Sequence, residues 1–315
     1  MVTTQAVNVG VDVSKDALDV HVHETGESFR VACDAEGLAQ LIERLATLKP
    51  RAVALEASGG YEAFAAAELS AAGLPVVVLN PAQVRAFADA LGQRAKTDPI
   101  DAAVIAHFIA AIAPEIRPLK DEETALLASL MARRRQIIAM ITAEQQRERM
   151  APPKVRKSIA RLLKALRREL ESLDGDIDQA VRTSPVWRIN EDLMASVPGV
   201  GATIARTILA ELPEIGTLDR REIAALAGLA PFTRQSGRWK GKSQIGGGRA
   251  EVRAALFMGA MVAARHNPAL KAFRDKLVAQ GKPKLVALIA VARKLLTILN
   301  AIVRDQQPWR APQTA

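Results

Sequence analysis

Asp12, Glu56, Asp98 and Asp101 are the residues whose type and setting point most directly to chemistry. Asp12 interrupts the run VNVGVDV, on the face opposite Val7, Val9, Val11 and Val13. Glu56 closes a short apolar run in LEASGGYE. Asp98 and Asp101 stand three apart in KTDPIDA, so on a helix both project from one side. Carboxylates are rare inside apolar strands unless they are paired or bind metal. Two-metal phosphoryl transfer needs such a group: two Mg²⁺ ions, about 3.5–4 Å apart, hold the attacking and leaving oxygens of a phosphodiester. Hard divalent ions take carboxylate oxygen. Taken singly, Glu56 is also read as half of a buried ion pair and Asp98 as a helix N-cap. Lys96 and Thr97, just before Asp98, are placed to steady a phosphate or the carboxylates.

The second half carries two further features. SVPGVGATIARTILAEL, from Ser196 to Leu212, reads as a helix-hairpin-helix. Gly199 and Gly201 would let backbone approach a phosphate, and the helix that follows would offer its N-terminal N–H groups to the anion. Further on, Ser236-Gly237 lies among Arg234, Arg238, Lys240 and Lys242, with Arg249 beyond. A serine among cations and glycines is a candidate nucleophile toward a phosphodiester. Ser243 is a second candidate. His21, His23, His107 and His266 are scattered, so no Ser-His-Asp triad is expected.

These residues need elements to hold them. The alternation at 7–13 predicts a strand, Leu18, Val20 and Val22 a second in a hairpin, and 28–32 a third. A helix with Leu38, Leu41, Ile42 and Leu45 follows, then strands at 52–56 and 75–79 alternating with helices at 62–72 and from Pro81 to Leu91. Pro99 opens a further helix, where its missing N–H is harmless. This is a mixed sheet flanked by helices. From 121 to 182 the pattern is helical, broken at Pro152-Pro153. Ile159, Leu162, Leu163, Leu166, Leu170, Leu173 and Ile177 form a coiled-coil or helical-hairpin seam beneath a basic face. The expected division is a catalytic domain at 1–118, a helical arm at 119–185, a mostly helical domain at 186–305 and a loose tail at 306–315.

The chain has 315 residues and a net charge of +9. Residues 1–118 hold 9 Lys+Arg and 15 Asp+Glu, a net of −6, and residues 119–315 hold 34 and 19, a net of +15. A basic remainder calls for a polyanionic partner, most often nucleic acid. The single cysteine, Cys33, excludes a disulfide framework and a cysteine zinc site, and makes the reducing cytoplasm the default location. The N-terminus has no secretory pattern. The apolar run Leu285–Ala292 ends at Arg293-Lys294, too short to span a bilayer.

Asp12 in VGVDVSKDALDV, Glu56 in LEASGGYE and Asp98/Asp101 in NPAQVRAFADALGQRAKTDPIDAAVIA closely resemble the DEDD insertion-sequence transposases of the IS110 family. So do the ordered motifs Val197–Gly201, Ala227–Pro231, Ser236-Gly237 and Val252–Leu256, and the resemblance runs from about residue 7 to residue 305. It implies a ribonuclease-H-like, RuvC-type domain, a coiled-coil arm and a serine-bearing C-terminal transposase domain. It implies recombination guided by a non-coding bridge RNA that pairs with target and donor DNA. It implies Asp12, Glu56, Asp98 and Asp101 as ligands of Mg²⁺ (two ions, Mn²⁺ able to substitute). It further implies Ser236 as the nucleophile of a 5′-phosphoserine link. The serine of one protomer would complete the carboxylate site of another, in a dimer or tetramer with no membrane. The sequence departs from the family where an I-S-K-x-G run reads Ile245-Gly246-Gly247-Gly248-Arg249, and where an L-R pair reads Val252-Arg253.

Rival readings keep part of this set. A RuvC-like structure-selective nuclease would use the carboxylates with water as nucleophile and have no need of Ser236. A decayed transposase would bind RNA without metal-dependent activity. An actin-like kinase would need a second glycine-rich phosphate motif, which the chain lacks.

Overall fold

The computed structural model describes residues 7–57, 59–93, 98–116, 121–233, 235–236, 239–241 and 243–311, with the backbone alone at Asp98, Pro99, Trp239 and Lys240. The chain forms two compact units, residues 1–119 and 120–315.

The first unit is a mixed five-stranded sheet. Its strands are β1 (Asn8–Val13), β2 (Ala17–Val22), β3 (Glu27–Ala32), β4 (Ala52–Glu56) and β5 (Val76–Leu79), in the order β3-β2-β1-β4-β5. β1, β2 and β3 are antiparallel, and β4 and β5 run parallel to β1. The tight β1–β2 turn is closed by Ser14, whose N–H and hydroxyl both donate to Ala17 O. Period-two alternation gives the sheet two faces, each with its own core. Val9, Val11, Val13, Leu18, Val20, Val22, Val53 and Leu55 pack beneath Leu38, Leu41 and Leu45 of α1 (Ala35–Leu48) and Ala65, Ala66 and Leu69 of α2 (Tyr61–Ala71). Ala52, Ala54, Val77 and Leu79 face the other way, onto α3 (Pro81–Ala90) and α4 (Asp98–Ile112). α1 starts where Asp34 Oδ1 accepts from Gly37 N at 2.8 Å, and α3 starts on Asn80 with Pro81 in its first turn. The expected strands and helices of this unit are all present, in an arrangement consistent with the ribonuclease-H-like class.

The second unit is mostly helical. α5 (Glu122–Met150) and α6 (Pro153–Thr183) form a long antiparallel hairpin broken at Pro152, and α7 (Pro185–Ala195), α8 (Ala202–Glu211) and α9 (Glu222–Leu226) follow. A short ribbon, β6 (Gln235–Ser236) and β7 (Trp239–Lys240), precedes α10 (Ala250–His266), α11 (Pro268–Ala279) and α12 (Lys284–Asp305). Leu127, Met131, Ile137, Leu173, Ile177 and Val181 of the hairpin share one core with Met194, Ile208, Leu256 and Leu295, so the root of the arm is part of this unit. Toward the far end Met150, Val155 and Leu162 are exposed. α12 is apolar and long enough to cross a bilayer, longer than the run Leu285–Ala292 implied. Its Val291, Leu295, Leu296 and Leu299 are fully buried, which makes it the central helix of the unit. Buried Asn300 is satisfied, accepting from Gly216 N and donating to Leu218 O. The first tail residues, expected to be loose, dock instead. Trp309 packs on the core and its N–H donates to Ser196 Oγ at 2.8 Å, while Gln306 Nε2 donates to Asn190 Oδ1 at 3.1 Å.

Candidate active site

Asp12 and Glu56 lie at the carboxyl ends of two adjacent parallel strands. The register pairs Gly10 with Ala54 and Val11 with Leu55, so Asp12 and Glu56 come next, level with one another. Both point to the face covered by α4. The contact between α4 and β1 depends on Gly10: a Cβ there would sit 2.2 Å from Ala102 O and 2.4 Å from Ala106 N. His107 stacks on His23, beside Asn8 at the other end of β1, so α4 runs antiparallel to β1. From Gly10 to Asp12 the strand advances about 6.6 Å. From Ala102 back to Asp98 the helix retreats about 6 Å. The first turn of α4, with Asp98 and Asp101, therefore lies over the strand ends that carry Asp12 and Glu56.

Asp12 is half-buried. Among the described residues no three His, Cys, Asp or Glu side chains draw together tightly enough to hold a metal ion. The Asp98 side chain, Lys96 and Thr97 lie outside the described residues. A donor set of carboxylate oxygen would suit a hard divalent cation and not a soft one.

A further carboxylate was not singled out from sequence. Asp19 stands directly opposite Asp12 in the β1–β2 register and is 6% exposed. Its Oδ2 lies 2.9 Å from Nη2 of Arg30, which is directly opposite on β3. The signal was available: β2 alternates, so Asp19 and His21 had to share the face of Asp12. Arg30→Ala would leave Asp19 buried without its cation and is expected to lower the unfolding free energy by roughly 1–3 kcal/mol. The double replacement Asp19→Leu/Arg30→Leu should recover most of that loss in urea denaturation, and a neutral Arg30→Ala would overturn the expectation. Burial, then His23, lowers the pKa of His21. Burial, then Asp34 and Asp16, raises that of Cys33, so its thiol stays protonated and is a poor nucleophile.

In the second unit, α7 and α8 are joined by the turn that contains Gly199 and Gly201. The two glycines have different surroundings. Gly199 has φ 108°, and a Cβ on it would lie 2.6 Å from Ala263, so its smallness serves the packing of α10. Gly201 caps α8 with open space around it, and Gly201, Ala202 and Thr203 are exposed. The N-terminal end of α8, where helix N–H groups can take an anion, is thus accessible.

Ser236 lies on the short β6–β7 hairpin, for which the sequence pattern predicts no strands. Ser236 pairs with Trp239 and Gln235 with Lys240. Lower on the stem, Phe232 and Gln244 exchange two backbone hydrogen bonds of 2.9 Å. The register shifts by one between these pairs. There the hydroxyls of Thr233 and Ser243 meet at 2.9 Å. Ser236 is exposed. Arg234, Arg238 and Lys242 lie outside the described residues, as does the Lys240 side chain. Arg249, expected to hold nucleic acid, instead forms a two-pronged ion pair with Glu214, Nη2 lying 2.6 Å from Oε1.

A family model described as a DEDD transposase of IS110 type matches residues 9–151, and another, for transposases of the IS116/IS110/IS902 family, matches residues 191–275. The first span includes Asp12, Glu56, Asp98 and Asp101, and the second includes Gly201 and Ser236. The enzyme class is therefore that of transposases, which act on DNA by phosphoryl transfer. The pilin gene-inverting protein of Moraxella lacunata is 28% identical over 314 residues, covering 96% of this chain and 97% of its own length. Its counterpart in Moraxella bovis matches to the same extent. A 43.6 kDa protein of insertion element IS110 in Streptomyces coelicolor is 30% identical over 151 residues, 47% of this chain and 36% of its own length. The chain belongs to the IS110 family of DEDD transposases.

Proposed function

We propose that this transposase is an RNA-guided DNA recombinase that uses the carboxylates of its first unit and the Ser236 hydroxyl of its second. The reading rests chiefly on the parallel β1–β4 register and the Gly10 contact, which together direct Asp12, Glu56 and the first turn of α4 to one end of the sheet. Asp12, Glu56, Asp98 and Asp101 would hold Mg²⁺, with Mn²⁺ able to replace it. The bound cations would neutralise charge on the phosphodiester oxygens. The Ser236 oxygen would attack phosphorus, forming a Ser–O–P bond as the P–O3′ bond breaks. The 5′ end would then stay on the protein, the 3′ oxygen leaving as a hydroxyl with the proton that serine gave up. Ser243 is less suited, because its hydroxyl is engaged with Thr233.

Nucleic acid would be held by the open end of α8 at Gly201, by Arg234, Arg238, Lys240 and Lys242 around the hairpin, and by the basic face of α6. Gly199 and Arg249 act in packing and in the hairpin base instead. A bridge-type RNA, target and donor DNA, a dimer-to-tetramer assembly, a RuvC-type first domain and a cytoplasmic location complete the proposal. The two full-length relatives named for pilin gene inversion favour a second outcome, inversion of a DNA segment by the same chemistry.

Incubation with substrate DNA and Mg²⁺, followed by a denaturing gel, tests the serine. The wild-type protein is expected to leave a covalent protein–DNA band and Ser236→Ala none. Free 5′-phosphate ends without an adduct would overturn the reading in favour of a hydrolytic nuclease. RNA co-purifying with the wild-type protein tests the guide, and full recombination by RNA-free protein would remove it.

A further inference from the structure

We infer that Arg253, with Gly228 and Gly248, forms a clasp that closes the base of the Ser236 hairpin, making Arg253 a positioning residue for the reaction. The hairpin leaves the body of the second unit after α9 and returns just before α10. At that base the outgoing and returning chains touch backbone to backbone. A Cβ on Gly228 would lie 2.2 Å from Gly247 O, and one on Gly248 would lie 2.4 Å from both Gly228 N and Leu226 O. Both glycines have positive φ, 68° and 58°, a region that a side chain would strain. Arg249 N donates to Leu226 O at 2.9 Å and adds a backbone rung.

Arg253 stands in the first turn of α10 and reaches into this crossing. Its Nη1 lies 2.6 Å from Gly247 O on the returning chain and 3.4 Å from Ala227 O on the outgoing one. One guanidinium nitrogen thus gathers a carbonyl from each side of the stem. The same turn is anchored on its other side by the Arg249–Glu214 ion pair. Because α10 is seated through Val252 and Leu256, both fully buried, the clasp refers the hairpin to the rigid core. The hairpin needs such a foothold, since Phe232, Thr233, Gln235, Ser236, Ser243 and Gln244 are all exposed. A hydrogen bond from a charged donor is stronger than one between neutral groups, and guanidinium can serve two acceptors at fixed geometry where ammonium has no fixed fork.

The inference rests on the reading of Ser236 as nucleophile, and its test keeps the two apart. Arg253→Ala and Arg253→Lys would be compared with wild type and Ser236→Ala in three measurements. These are hydrogen exchange over residues 227–248, DNA-binding affinity, and the rate of covalent adduct formation at saturating DNA. Arg253→Ala is expected to raise exchange at the Phe232 and Gln244 amides at least about tenfold. It should slow adduct formation about a hundredfold, the loss expected for a reacting atom misplaced by about 1 Å. DNA affinity should change less than about threefold, so the loss falls on turnover and not on binding. Arg253→Lys should restore part of the rate. Unchanged exchange in Arg253→Ala would overturn the clasp whatever Ser236 does. Faster exchange with an unchanged adduct rate would overturn the positioning role. Adducts persisting in Ser236→Ala would sink the serine reading and the positioning role with it, while the exchange measurement still decides the clasp. If Arg253→Ala fails to fold, the same criteria apply to Arg253→Lys.

Discussion

Replacing Gly10 with alanine is expected to destabilise the first unit by about 3 kcal/mol or more and to slow recombination about a hundredfold, although position 10 carries no reacting group. The added carbon would sit 2.2 Å from Ala102 O, a backbone atom in the middle of a helix that cannot rotate away. Over-packing a tight interface costs about 1–3 kcal/mol, and more when only backbone can yield. Relief requires α4 to lift from β1 by about 1 Å, and α4 carries Asp98 and Asp101. Misplacement on that scale costs about 10² in rate. Thermal unfolding of the variant should fall by more than about 5 °C. The same rate with an unchanged midpoint would show that α4 does not need this contact. A paired control, Gly201→Ala, sits in open space at the α8 cap and should cost no more than about 1 kcal/mol, the preference for glycine over alanine at that position.

Asp12→Asn is expected to reduce strand exchange at least about a thousandfold, which corresponds to about 4 kcal/mol of transition-state stabilisation. It should not cost stability. Asp12 faces Asp19 directly across the hairpin, and like charges so placed repel, so a neutral amide should leave the fold as stable or slightly more so. That combination separates a chemical role from a structural one. Mn²⁺ binding followed by electron paramagnetic resonance should weaken in parallel, a readout that does not depend on turnover. Full recombination by the Asp12→Asn protein would remove the carboxylate site from the proposal.

Most of the first unit was legible because its signals are local. The alternation of VNVGVDV and the spacing of KTDPIDA each need only a few residues to be read. The same alternation fixed which face Asp12 occupies. What stayed hidden depends on partners distant in sequence. Gly10 reads as any glycine until Ala102 and Ala106 are laid over it. Arg249 reads as a phosphate ligand until Glu214, 35 residues earlier, is found beside it. Gly199 reads as a phosphate-approach residue until Ala263 fills the space its side chain would need. The Ser236 hairpin escaped notice because its strands are only two residues long, without room for an alternation to show.

The root of the α5–α6 arm has a mechanical consequence. Beyond the shared apolar core, Arg206 of α8 bridges Asp178 of α6 and Glu191 of α7, each at 2.7 Å, and Arg135 of α5 reaches Glu211 of α8 at 3.0 Å and Glu251 of α10 at 3.3 Å. α5 alone is about 43 Å long. Such an arm, bolted at one end to the helices that carry Gly201 and Arg253, is a lever. A load of a few ångströms at its tip turns its root by only a few degrees. Force applied at Pro152 is therefore geared down into a small, strong rotation of α8 and α10.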